Sequence, residues 1–215
     1  MEVVLWKYHG SDRVEKKQSF SFRDVHGVLH KIHVEQQQDA ICHSGGVWDS
    51  AVCLCEWACS VDWKNYKELS VLELGAGTGL LSILLFKLLA CSESDGRINV
   101  TATDLPDALP ILRENLKLNY ADGVVVKELT WGTSLSDADY SLVFLADCVF
   151  GEFDLGSLLS TLRSLKKGTR LVFGYKPRMK NKEDAFFRKL GGVRSQIETP
   201  AAYLSTNVQI FQILL

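Results

Sequence analysis

The chain has 215 residues, with 24 basic and 26 acidic side chains and a formal net charge of -2. So even a balance excludes a bulk electrostatic pull toward nucleic acid or an anionic membrane. Hydrophobic residues make up 47% and charged residues 23%, the composition of a soluble globular protein long enough for one domain with a sizeable core.

The N-terminus begins Met1-Glu2-Val3-Val4 and reaches Lys7 before a long apolar core develops, so no secretory signal is expected. The six cysteines are Cys42, Cys53, Cys55, Cys59, Cys91 and Cys148. Without a signal, a chain of this length points to free thiols in a reducing compartment, cytoplasmic and also nuclear. Residues 19–35 read as a β-hairpin, in which Phe20 and Phe22 alternate with polar residues and Asp24 to Gly27 offers a turn. His30 and His33 fall on opposite faces of its second strand, so solvated histidines are expected there and no metal site. After Gly45-Gly46-Val47-Trp48-Asp49 comes a helix from about Ser50 to Cys59, apolar almost all round and therefore buried. Its cysteines lack a second ligand pair at zinc spacing.

The next stretch organises the chain: Leu72-Glu73-Leu74-Gly75-Ala76-Gly77-Thr78-Gly79-Leu80. A buried strand runs into a glycine turn and then a leucine-rich helix. The apolar run to Cys91 is broken by Glu73, the glycines and Lys87, which suits strand–turn–helix better than a membrane span. Such a turn offers free N–H groups and the positive end of a helix dipole to a polar ligand. A dinucleotide is one candidate, but its fingerprint is Gly-x-Gly-x-x-Gly and Leu80 stands at the third glycine position. Glu73 would repel a diphosphate and attract a cationic amino group.

Further strands are expected over 97–103, 124–129, 142–146, 171–175 and 208–214, with helices after Asp104-Leu105-Pro106, after Asp154 and after Asn181, whose partner Asp184 suggests a cap. Alternating strands and helices imply a parallel sheet with right-handed crossovers. Ligands of such sheets lie beyond the carboxyl ends of the strands, where Glu73, Asp104, Trp131 and Asp147 all fall. Asp104 can accept hydrogen bonds from ribose hydroxyls, or simply cap the helix before Pro106. Leu105 and Trp131 offer flat apolar surface to an adenine.

The glycine stretch with Glu73 resembles motif I of the seven-stranded methyltransferases that use S-adenosylmethionine (SAM), where the turn lies under the methionine part of SAM. Five segments narrow the resemblance: Val47-Trp48-Asp49, Glu73 to Gly79, Thr103-Asp104-Leu105-Pro106, Leu129-Thr130-Trp131-Gly132 and Ala146-Asp147-Cys148-Val149-Phe150. In this order they are similar to the family 16 protein lysine methyltransferases, methyltransferase-like 21 and its relatives; Tyr175, Arg178 and Phe186-Phe187 fit as well.

The resemblance implies a Rossmann-like α/β fold, a seven-stranded sheet flanked by helices with an N-terminal β-hairpin. Residues 1–44 would form the N-terminal segment and 45–215 the methyltransferase domain. SAM would be bound by Trp48, Glu73, Gly75, Gly77, Gly79, Asp104, Leu105, Trp131 and Ala146, with Asp147 and Phe150 at the acceptor. Asp147 would orient the lysine, and the Phe150 ring could face its cation for about 0.5–2 kcal/mol. The expected partner is a protein substrate, with no membrane or nucleic acid, and the expected state is a monomer. Arginine, histidine or a small molecule is the alternative acceptor, and a SAM-binding protein without turnover is the non-enzymatic alternative.

Overall fold

A computed structural model describes residues 17–37, 43–66, 68–90, 98–150 and 153–215. The expectations resting on Met1 to Lys7, Cys42, Cys91 and Arg97 lie outside them.

The elements in chain order are β1 (Lys17–Arg23), β2 (Leu29–Glu35), α1 (Asp49–Cys59), β3 (Leu69–Leu74), α2 (Leu80–Ala90), β4 (Ile98–Asp104), α3 (Leu109–Leu118), β5 (Val125–Glu128), β6 (Leu142–Ala146), α4 (Leu155–Arg163), β7 (Arg170–Tyr175), α5 (Lys180–Leu190), β8 (Val193–Ile197) and β9 (Gln209–Leu214). Strands β1 and β2 pair antiparallel as the expected hairpin. The other seven form one sheet in the order β5-β4-β3-β6-β7-β9-β8. The chain moves outward from β3 through β4 to β5, then returns to β6 on the other side of β3. That reversal opens a crevice beyond the ends of β3 and β6, the place where open α/β sheets hold ligands.

Neighbouring strands from β5 to β7 are parallel, whereas β9 runs antiparallel to both β7 and β8. Strand β8 was missed in the sequence. Its Val193-Arg194-Ser195-Gln196-Ile197 is almost wholly exposed on an edge, so it carries no alternation of buried and polar positions.

Alternation along the central strands divides the core. Val71, Phe144 and Val172 face α1, α2, α3 and the hairpin, together with Phe22, Ile32 and Val34. Leu72, Leu74, Val143, Leu145 and Phe173 face α4 and α5, together with Leu158, Leu162 and Phe187. Helix α1 lies close against β7: a Cβ on Gly174 would meet Leu54 Cγ at 2.7 Å and Ser50 O at 3.0 Å.

The hairpin is fastened by two asparagines, Asn115 of α3 and Asn119 at its C-cap. Asn115 accepts from Glu35 N at 2.7 Å and donates to Glu35 O at 2.9 Å and Thr78 O at 3.0 Å. Asn119 accepts from His33 N and donates to His33 O, at 2.9 and 2.6 Å. Side-chain amides thus supply the backbone partners that another strand would have given β2.

Two local readings change. His30 and His33 do take opposite faces, but His30 is buried and paired with Asp24 at 2.9 Å rather than solvated. Helix α5 begins at Lys180 without a side-chain bond from its N-cap residue, and buried Glu183 accepts from Met179 N at 2.9 Å, so the cap is not the Asn181–Asp184 pair. A carboxylate one turn inside the helix satisfies the free N–H groups as a preceding cap would.

Candidate active site

Strand β3 ends at Leu74, and the chain turns through three glycines into α2. Their φ angles are +68° at Gly75, +54° at Gly77 and +81° at Gly79, which only glycine adopts without strain. The turn is tied down on two sides. Ala76 N donates to Thr103 O at 2.9 Å, and Gly77 N donates to Asp104 Oδ2 at 2.7 Å. Asp104 Oδ1 accepts from Leu105 N at 2.7 Å and from the Ser44 hydroxyl at 3.4 Å. The Ser44 backbone closes over the turn, so that a Cβ on Gly77 would lie 3.0 Å from Ser44 O.

A cavity of about 500 Å³ opens here, of the size that holds a cofactor. Of the residues expected at the site, Trp48, Glu73, Gly75, Gly77, Asp104, Leu105, Trp131, Ala146, Asp147 and Phe150 line it. Gly79 is off the wall, and a Cβ there would strike Leu112 Cδ1 at 2.5 Å. Its part is to let the turn enter α2 beneath α3. Leu105 is half-exposed. Trp131 lies beside Gly75 and meets Phe153 edge-on at 5.8 Å, and Phe153 meets Phe150 edge-on at 5.5 Å.

Glu73 lines the cavity from a buried position. Its carboxylate receives the Ser82 hydroxyl of α2 and is fully buried. Burial pushes its pKa up to about 7, against the Ser82 hydrogen bond, which lowers it. The folded protein therefore keeps this proton up to about pH 7, while the unfolded chain loses it near 4.5. Stability from this group is full below pH 4.5, falls as pH rises through 7 and then levels off. Thermal melting of the ligand-free protein and of Glu73→Gln is expected to show that fall only in the parent. Parallel melting curves across the range would remove Glu73 as the cause.

Asp147 follows β6 in the left-handed region, at φ +57°. Non-glycine residues are held there only by their surroundings. Oδ1 accepts from Lys176 N at 3.1 Å, and the Arg178 guanidinium grips both oxygens, at 2.9 and 2.8 Å. The same guanidinium sits 5.1 Å from the Phe150 ring centre and 5.7 Å from that of Trp48. Cys148, buried beneath Gly75, donates to Leu74 O at 3.0 Å, and burial pushes its thiol pKa well up. An inert packing role follows, not a nucleophilic one.

Among the wall residues outside the predicted site are Ser44, Phe153 and Arg178. Ser44 and Phe153 carry no motif. Arg178 had a usable signal, since it follows β7 at the same sheet edge as the acids. Among the described residues no group of three or more His, Cys, Asp or Glu could hold a metal ion.

The residues present fit SAM. Asp104 retains one acceptor position for a ribose hydroxyl, Leu105 and Trp131 give apolar surface, and the turn brings the backbone of Gly75 and Gly77 to the cavity wall. Sheet order and site together define a Rossmann-like methyltransferase. The likeness to precorrin-6y C5,15-methyltransferase from Geobacter metallireducens GS-15 is one of fold: the TM-score is 0.50 at 22% identity, covering 69% of this chain and 81% of that one.

The chain belongs to the lysine methyltransferase family, whose model matches residues 29–192. It is 38% identical to protein N-lysine methyltransferase METTL21A of Danio rerio over 150 residues, 66% of this chain and 65% of that protein. It is 35% identical to EEF1A lysine methyltransferase 3 of Mus musculus over 174 residues, 77% of this chain and 70% of that protein.

Proposed function

We propose that this protein transfers a methyl group from SAM to the side-chain amine of a lysine in a protein substrate. The observation that carries the reading is one cavity shared by the glycine turn, Asp104 and the acid–aromatic group of Asp147, Phe150 and Trp48. Bound SAM supplies an electrophilic methyl group on a sulfonium.

The chain's own residues do the rest. The turn and Asp104 fix the cofactor end, and Asp104 is itself fixed by the Gly77 and Leu105 amides. Trp131 and Leu105 exclude water from an adenine. At the other end, Asp147 offers an oxygen to the incoming nitrogen, and Phe150 and Trp48 line the same cavity. Aligning reactants in this way can remove about 7–11 kcal/mol from the barrier of a displacement. A protein substrate also suits the near-neutral charge balance, which gives nucleic acid little attraction. Buried free thiols at Cys53, Cys55, Cys59 and Cys148 favour the cytosol or nucleus as the place of work.

The reading is tested with purified protein, radiolabelled SAM and cell lysate, followed by identification of the labelled residue by mass spectrometry. Methyl-lysine in a discrete protein band is the expected result. Label confined to arginine, histidine or small molecules would overturn it.

A further inference from the structure

The nitrogen of a lysine can attack a methyl group only when neutral, yet the free side chain has a pKa near 10.4. An unpaired carboxylate beside it stabilises the ammonium and makes matters worse. In this fold Asp147 is not unpaired. It accepts three N–H bonds, one from Lys176 N and two from Arg178. A carboxylate has about four acceptor positions. Among the described residues, therefore, one position stays open, on Oδ2.

The guanidinium is well anchored. Its side chain is 26% exposed. Nη1 also donates to Lys176 O at 3.0 Å, and Glu183, 0% exposed, accepts from Arg178 N at 3.2 Å. The charged groups facing it are Asp147 after β6, Asp49 of α1, Glu183 of α5 and, on its own loop, Lys176, whose Nζ lies 3.7 Å from Asp49. The Asp147 hydrogen bond is the main reason its own pKa lies above the usual arginine value. It therefore stays charged throughout the working pH range.

We propose that Arg178 is a positioning residue for methyl transfer: paired with Asp147, it cancels that carboxylate's charge and leaves Oδ2 a single acceptor position, so that the site takes lysine as the neutral amine. The proposal rests on the lysine reading above. The ammonium gives one proton to water. The neutral amine then donates one N–H to Oδ2, which turns its lone pair toward the methyl carbon. The new N–C bond forms as the S–C bond breaks, with that electron pair remaining on sulfur, and the methylated amine leaves as a cation. Trp48 and Phe150 hold the guanidinium in place through their ring faces while this happens.

Arg178→Met and Arg178→Lys test it in the full chain, after melting curves and the affinity for S-adenosylhomocysteine establish that fold and cofactor site are kept. The rate of methyl-lysine formation on lysate proteins is followed against pH. The alkaline rise is expected to move up by about one pH unit in Arg178→Met and to stay near the parent's in Arg178→Lys. At neutral pH this is about a tenfold loss that high pH restores.

The second readout needs no turnover: n-butylamine is titrated by ligand-observed NMR with S-adenosylhomocysteine present. Parent binding is expected to strengthen about tenfold per pH unit below the amine's pKa, and Arg178→Met to bind the cation already at neutral pH. A rate loss equal at every pH would show a merely structural part and overturn the proposal. So would a lower KM with the pH profile unmoved, which would make the guanidinium only a competitor for the pocket. Identical butylamine titrations, bound or unbound, would overturn it too. A parent that methylates no lysine would instead overturn the lysine reading, and this inference with it.

Discussion

Asp147→Ala is expected to lower the methyl-transfer rate by about 10²-fold or more while leaving affinity for S-adenosylhomocysteine within a few-fold of the parent. The size follows from position. The carboxylate supplies the open oxygen on Oδ2, and misplacing a reacting group by about 1 Å already costs about 10²-fold. Its loss also frees Arg178, whose guanidinium would carry uncompensated positive charge beside Phe150 and Trp48. Cofactor binding is spared because the turn is braced by Asp104 and not by Asp147. Calorimetry and single-turnover kinetics on one preparation separate the two effects. Full activity in the variant would remove Asp147 from the mechanism.

Gly77→Ala produces the opposite pattern, with cofactor binding weakened by about 30- to 100-fold. At φ +54° an L-residue costs about 1–2 kcal/mol. The new Cβ would also stand 3.0 Å from the Ser44 carbonyl oxygen, so the covering loop or the turn has to shift. Either movement pulls Gly77 N from Asp104 Oδ2, the 2.7 Å bond that sets both the turn and the acid. Relieving the strain displaces the turn in the free protein, and binding then has to restore it at a cost of about 2–3 kcal/mol, at 1.4 kcal/mol per tenfold in affinity. Calorimetric titration with S-adenosylhomocysteine checks the figure. Unchanged affinity would mean that the turn carries no part of the cofactor's binding.

Much of this was readable from residue patterns, for definite reasons. Strands β6 and β7 are apolar on both faces and β3 is so apart from Ser70 and Glu73, so their runs stand out. Strand β8 was unreadable because edge exposure leaves it polar. The glycine turn and Asp104 were legible because backbone geometry and a strand end constrain residue type strongly. The Glu73 environment was not, since its Ser82 partner lies on the next helix. Nor was the Arg178–Asp147 pair, which joins residues 31 positions apart across two strand ends. Sequence spacing places both at one edge of the sheet, but only the folded loop decides that they meet. The family resemblance pointed to Asp147 and Phe150; the geometry adds that a cation of the chain lies over the rings of both Phe150 and Trp48.

The asparagine clamp has a consequence for how the chain folds. Glu35 and His33 bond to side chains 80 and 86 residues later. Such contacts close long loops, and their entropic cost delays them. During synthesis the hairpin emerges before the two asparagines, which arrive only after β3, α2 and β4 have been made. Until then Phe22, Ile32 and Val34 can pack only against the apolar residues of α1 and α2. Asn115 meets both Glu35 and the Thr78 carbonyl of the glycine turn, so hairpin docking and completion of the turn become one late event. A nascent chain stopped before α3 thus holds an unfastened β2 edge and an unfinished cofactor turn together, and α3 resolves both.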